Sequence, residues 1–114
     1  MRTQTTTVKT VNYSIEEINA VAEQLNNLYP NNSDWDPKGT RITGDGNPAW
    51  EYTFNADPEQ QYYFNFNAQS IEYACNNSTY YGTFNYTEDI NDLIKFIQEE
   101  ITQIEINILN SLED

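Results

Sequence analysis

Ile15, Ile18, Val21, Ala22, Leu25 and Leu28 recur at intervals of three and four in the first third of the chain, the spacing that lines one face of an α-helix. Ser14 stands just before this run and Glu17 three places after Ser14. In that capping-box spacing the hydroxyl and the carboxylate each satisfy a backbone N–H orphaned at a helix start. The pattern predicts a helix within residues 14–30, from about Ile15 to Tyr29, ended by Pro30. Upstream, within residues 1–13, Thr3 to Tyr13 alternates polar and apolar positions and reads as an extended strand or arm. Downstream, Asn31 to Gly39 is turn chemistry throughout.

Between residues 40 and 87 the period changes to two. Trp50, Tyr52 and Phe54 alternate with Glu51 and Thr53, and Phe64 and Phe66 alternate with Asn65 and Asn67. Ile71, Tyr73 and Cys75 alternate with Glu72 and Ala74, and Tyr80, Gly82, Phe84 and Tyr86 with Tyr81, Thr83 and Asn85. Short turn-like connections separate the runs. They predict an antiparallel meander of about four strands with an aromatic inner face and a polar outer one. On that outer face the alternation places Glu51, Glu72, Tyr63 and Tyr81.

A second helical period occupies residues 88–112. Ile90, Ile94, Ile97, Ile101, Ile104 and Ile108 repeat at alternating steps of four and three, a heptad-like isoleucine seam. Glu88, Asp89 and Asp92 complement the helix dipole at its start. A helix reaching Leu112 is about 35 Å long, against about 17–20 Å for a strand of five or six residues, so its last turns are expected to overhang the sheet. The elements together predict a two-layer α+β sandwich in one domain, with an N-terminal helix and a long C-terminal helix on one face of the sheet. Phe96, Ile106 and Leu109 fall away from the seam on a helical wheel and call for cover from the N-terminal segment, the first helix or a second copy of the chain. A homodimer contact through Ile101, Ile104 and Ile108 is the expectation that follows for self-association.

Composition adds a strong field to this frame. The chain of 114 residues carries a formal net charge of -13, and 14% of it is aromatic, enough large rings to build a core despite the polarity. The imbalance is local: four cations meet five acids before Ile42, whereas Lys95 alone meets thirteen acids from there on. Direct contact with nucleic acid or an anionic membrane is disfavoured, since phosphate contacts need Lys and Arg. No apolar run is long enough to span a bilayer and no leader-like segment opens the chain, so a cytoplasmic location is expected.

Candidate chemistry is sparse. With no histidine, His-based acid–base, nucleophilic and zinc sites are excluded. The four glycines form no phosphate-cradling loop, and no cofactor is expected. Asp34, Asp36, Gly39 and Asp45 occupy the first, third, sixth and twelfth places of a calcium-loop pattern, but Lys38 stands where a ligand oxygen belongs, so no metal site is expected. Cys75 reads as a small buried hydrophobe. A protein without catalytic machinery is therefore expected. On the wheel Glu88, Asp92 and Glu99 point away from the isoleucine seam, flanked by Asp89 and Glu100. With Glu51 and Glu72 they are the residues expected to meet a basic groove on a nucleic-acid-processing protein, in the manner of an inhibitor that mimics nucleic acid. In size and charge the chain resembles the small acidic phage inhibitors of restriction and CRISPR effectors, a likeness of composition with no shared motif. The rival expectation is a structural or adaptor protein that self-associates through the isoleucine seam.

Overall fold

The structure, a computed structural model, describes residues 10–76 and 81–112. Helix α1 spans Ile15–Leu28 and starts on the expected capping box, with the Ser14 hydroxyl accepting from the Glu17 N–H at 3.2 Å and the Ser14 N–H donating to Glu17 Oε1 at 3.1 Å. Its apolar face buries Ile18, Val21, Ala22 and Leu25. Five strands follow: β1 Ser33–Asp36, β2 Ala49–Thr53, β3 Gln61–Phe66, β4 Ser70–Cys75 and β5 Tyr81–Asn85. Each pairs antiparallel with its neighbour in sequence, in the order β1-β2-β3-β4-β5. Helix α2, Ile90–Leu112, completes an α+β architecture with one helix at each end of the chain.

The meander has one strand more than the alternation predicts. Strand β1 lies in the stretch read as turn, where four residues between Pro30 and Pro37 are too few to display a period. Pairing supplies what local pattern lacks: Ser33 faces Tyr52 and Trp35 faces Trp50, and the Trp35 ring meets Phe66 edge-on at 5.7 Å. Of the predicted N-terminal arm, residues 1–9 lie outside the described residues. Tyr13 is buried rather than extended along a sheet, stacked on Tyr86 at 4.0 Å, with its hydroxyl donating to the Thr87 carbonyl at 2.7 Å.

The core lies between the inner sheet face and the two helices. Register lines up Trp35, Trp50, Phe64, Tyr73 and Gly82 across all five strands. Trp50, Tyr52, Phe54, Tyr62, Phe64 and Phe66 are all essentially without solvent contact, each contributing about 1.5–3 kcal/mol by burial. Gly82 ends the aromatic row for a steric reason, because the Tyr73 ring lies where a Cβ would be. From the helix side come Leu93, Ile94, Ile97 and Ile101, with Ile90, Ile104 and Ile108 packed against their edge. Phe96, expected off the seam and exposed, is covered: it stacks on Phe84 at 4.3 Å and meets Tyr73 at 5.3 Å, since the sheet is broader than the seam. The last turns of α2 do overhang, leaving Ile106, Leu109 and Leu112 at 44%, 51% and 66% exposure. Among the described residues no helix is long and apolar enough to cross a membrane.

Candidate functional site

The β1–β2 connection, residues 37–48, is organised by two aspartates. Asp36 is buried and accepts backbone N–H groups from Arg41 at 2.7 Å, Ile42 at 3.1 Å and Lys38 at 3.2 Å. Burial alone raises its pKa, but these donors and the Arg41 charge outweigh that and hold it below the usual carboxylate value. Asp45 accepts from the Thr43 hydroxyl at 2.8 Å, the Asn47 N–H at 3.0 Å and the Asn65 amide at 2.6 Å, and its pKa is likewise lowered. Gly39 turns the loop at φ +64°, and a Cβ there would run into the Asn47 carbonyl. Asp34 pairs with Arg41 at 3.0 Å. The run with calcium-loop spacing is thus a hydrogen-bonded loop, and among the described residues no cluster of His, Cys, Asp or Glu suits a metal ion.

The expected acidic contact set divides between opposite faces of the sandwich. Glu51 and Glu72 stand on the outer sheet face, while Glu88, Asp89, Asp92, Glu99 and Glu100 belong to the helical layer or the turn leading into it. A two-layer fold cannot bring both groups to one flat contact. Several of the helical acids also act inside the fold. Asp89 caps α2, its carboxylate accepting from the Asn91 N–H at 2.9 Å, and Asp92 accepts from the Thr87 hydroxyl at 2.7 Å. Glu100 accepts from the buried Tyr62 hydroxyl at 3.2 Å, and Glu99 lies 3.9 Å from Lys95. Glu88 is exposed beside this cap. For self-association, Ile101 lies at 2% exposure in the chain's own core, and Ile104 and Ile108 are half-buried at its edge. The large apolar side chains that α2 leaves exposed are instead Ile106, Leu109 and Leu112.

On the sheet face the register builds a row of Asp34, Glu51, Tyr63, Ala74 and Tyr81, one residue from each strand. Asn65, Glu72 and Thr83 are aligned in the neighbouring row. Tyr63, Asn65, Glu72, Ala74, Tyr81 and Thr83, together with Thr43 from the loop, line an open depression of about 410 Å³. Tyr81 is 79% exposed. Burial, then the charge of Asp34, raises the pKa of Glu51 against the opposing pull of Arg41, and burial and Glu51 raise that of Tyr63. Asn65 donates its amide N–H to Asp45, which fixes the direction of the amide and leaves Oδ1 buried without a hydrogen-bond partner among the described residues. Cys75, on the inner face, is buried, and burial followed by the Glu100 charge pushes its thiol up to about 11, which leaves it unreactive at neutral pH.

Sequence reasoning missed two residues that matter here. Ala74 has no signal of its own; only cross-strand register reveals that it separates two tyrosines. Glu105 does have a signal, since it falls four places after Ile101 and three before Ile108, on the apolar side of the wheel. It accepts from the Tyr52 hydroxyl at 2.8 Å, the Asn55 N–H at 3.1 Å and the Ala56 N–H at 2.9 Å, fastening the β2–β3 turn to α2.

Fold and surface together define a two-layer α+β protein with an acidic exterior and a tyrosine-bearing sheet face. Comparison with known proteins finds no matching family, no matching curated protein and no matching solved structure.

Proposed function

We propose that this chain is a non-catalytic binding protein that inhibits or regulates a nucleic-acid-processing protein by presenting carboxylates to its basic groove. One observation carries the reading. Among the described residues Lys38, Arg41 and Lys95 are the cations set against sixteen Asp and Glu, and both Arg41 and Lys95 lie within 4.0 Å of a carboxylate. Such a surface exceeds the mixed charge that solubility calls for and attracts a positive partner from a distance. The outer sheet face supports the role best, because Glu51 stands there beside Tyr63, Glu72 shares the open depression with the exposed Tyr81, and tyrosine is enriched among interface anchors. Several helical acids, by contrast, hold the fold together.

The test is a titration of a panel of basic nucleases and effector proteins with the protein at low and high salt, in the presence of competing DNA or RNA. Binding that weakens with salt, is displaced by nucleic acid and falls at least tenfold in a Glu51→Lys, Glu72→Lys variant is the expected result. Tight binding insensitive to salt and to nucleic acid overturns competition.

The exposure of Ile106, Leu109 and Leu112 favours a second reading, a self-associating structural or adaptor protein. Its expected signature is a dimer in sedimentation equilibrium that a Leu109→Glu substitution converts to monomer. A monomeric parent protein removes this reading.

A further inference from the structure

Ala74 lies between Tyr63 and Tyr81 in the outer row. Two strand spacings put the tyrosine backbones about 9.5 Å apart, and among the described residues of that row the Ala74 methyl group is what rises between them. A planar group stacked between two rings needs about 3.5–4.0 Å on each side, so the space over Ala74 has the width of such a sandwich. Its surroundings select the sign of the occupant. Glu72, in the neighbouring row, and Glu51, beyond Tyr63, supply carboxylates on both flanks, while Asp34 is already paired with Arg41. A phosphate-bearing nucleotide is repelled by this setting.

We propose that the slot over Ala74, between Tyr63 and Tyr81, receives an arginine side chain of a basic protein partner. The guanidinium is planar, permanently charged and rich in N–H donors, so it stacks on tyrosine and donates to a carboxylate at the same time. Glu72 takes that donor pair at one end of the slot. Glu51, desolvated and set beside Asp34, gains a neighbouring cation that relieves the like-charge contact. Lysine, a compact and strongly hydrated ammonium, fits the charge but not the planar gap.

This inference rests on the reading of the chain as an acidic binding protein, and the experiment separates the two. Oligoarginine and oligolysine peptides of equal length are titrated against the whole chain at low and high salt, with ring resonances of Tyr63 and Tyr81 followed by NMR. At high salt oligoarginine is expected to bind about tenfold more tightly than oligolysine, with both ring signals shifting. Ala74→Leu, which fills the slot, and Tyr81→Ala, at a highly exposed position, each abolish that preference. Glu23→Gln, at an exposed position of α1, leaves it intact. Circular dichroism of each variant confirms that the fold is retained. Equal affinities for the two peptides, both lost at high salt, overturn the slot while leaving the acidic binding protein standing. Failure of both peptides to bind at any salt overturns both.

Discussion

Replacing Glu105 with alanine is expected to lower the stability of the fold by about 2–4 kcal/mol, read as a shift in the urea midpoint. The carboxylate accepts three hydrogen bonds, from the Tyr52 hydroxyl and from the Asn55 and Ala56 backbone N–H groups. Tyr52 is 2% exposed, so its hydroxyl finds no ready substitute in water. A donor stranded in this way costs about 1–3 kcal/mol, and bonds to a charged acceptor are the stronger kind. Glu105→Gln retains one acceptor oxygen and nearly the same shape, so it is expected to cost less than the alanine. Tyr52→Phe combined with Glu105→Ala completes a cycle, in which the loss is smaller than the sum of the single losses. An unchanged midpoint for Glu105→Ala refutes the role given to this residue.

Raising the pH above about 10 is expected to unfold the protein cooperatively. Burial raises the pKa of Tyr52, reinforced by its hydrogen bond to Glu105 and by the charge of that carboxylate. Burial also raises Tyr86, with a smaller effect of Tyr13. A tyrosine whose folded pKa exceeds the unfolded value keeps its proton in the native state after the unfolded chain has released it. Its contribution is complete below the unfolded pKa and declines as pH rises through the interval between the two values. Each such tyrosine gives a slope of about 1.4 kcal/mol per pH unit, and the pair about twice that. Far-ultraviolet circular dichroism is expected to be lost in one step, accompanied by a step in tyrosinate absorbance at the same midpoint as the buried tyrosines ionise. Ionisation of all nine tyrosines near their ordinary value with the dichroism unmoved contradicts this account.

Sequence pattern carried most of the architecture, for reasons visible in particular residues. The capping box at Ser14 and Glu17 and the alternation around Trp50, Phe64 and Ile71 are local signals, and the local structure obeys them. Strand β1 was illegible because it owes its existence to pairing with β2 across a twelve-residue loop. The candidate site was legible only in part. Alternation alone assigns Glu51, Glu72, Tyr63 and Tyr81 to the outer face, but which residue neighbours which depends on strand register. A helical wheel treats Asp89, Asp92, Glu99 and Glu100 as one surface stripe, whereas capping, hydrogen bonding to Tyr62 and pairing with Lys95 give them separate duties. The overhang of α2 followed from length alone, and the burial of Ile101 from the depth to which the seam sinks into the core.

Strand order that repeats sequence order has a kinetic consequence. Every ladder in the sheet forms between neighbours along the chain, so its closure entropy is small and the meander assembles early. The long loops close only when the ends arrive: Tyr13 reaches Thr87 across 74 positions and Tyr52 reaches Glu105 across 53. The helices are therefore expected to dock last, after the barrier, onto a sheet already in register. Substitutions at Tyr13 and Glu105 then accelerate unfolding more than they slow folding, whereas those at the β3–β4 hairpin slow folding.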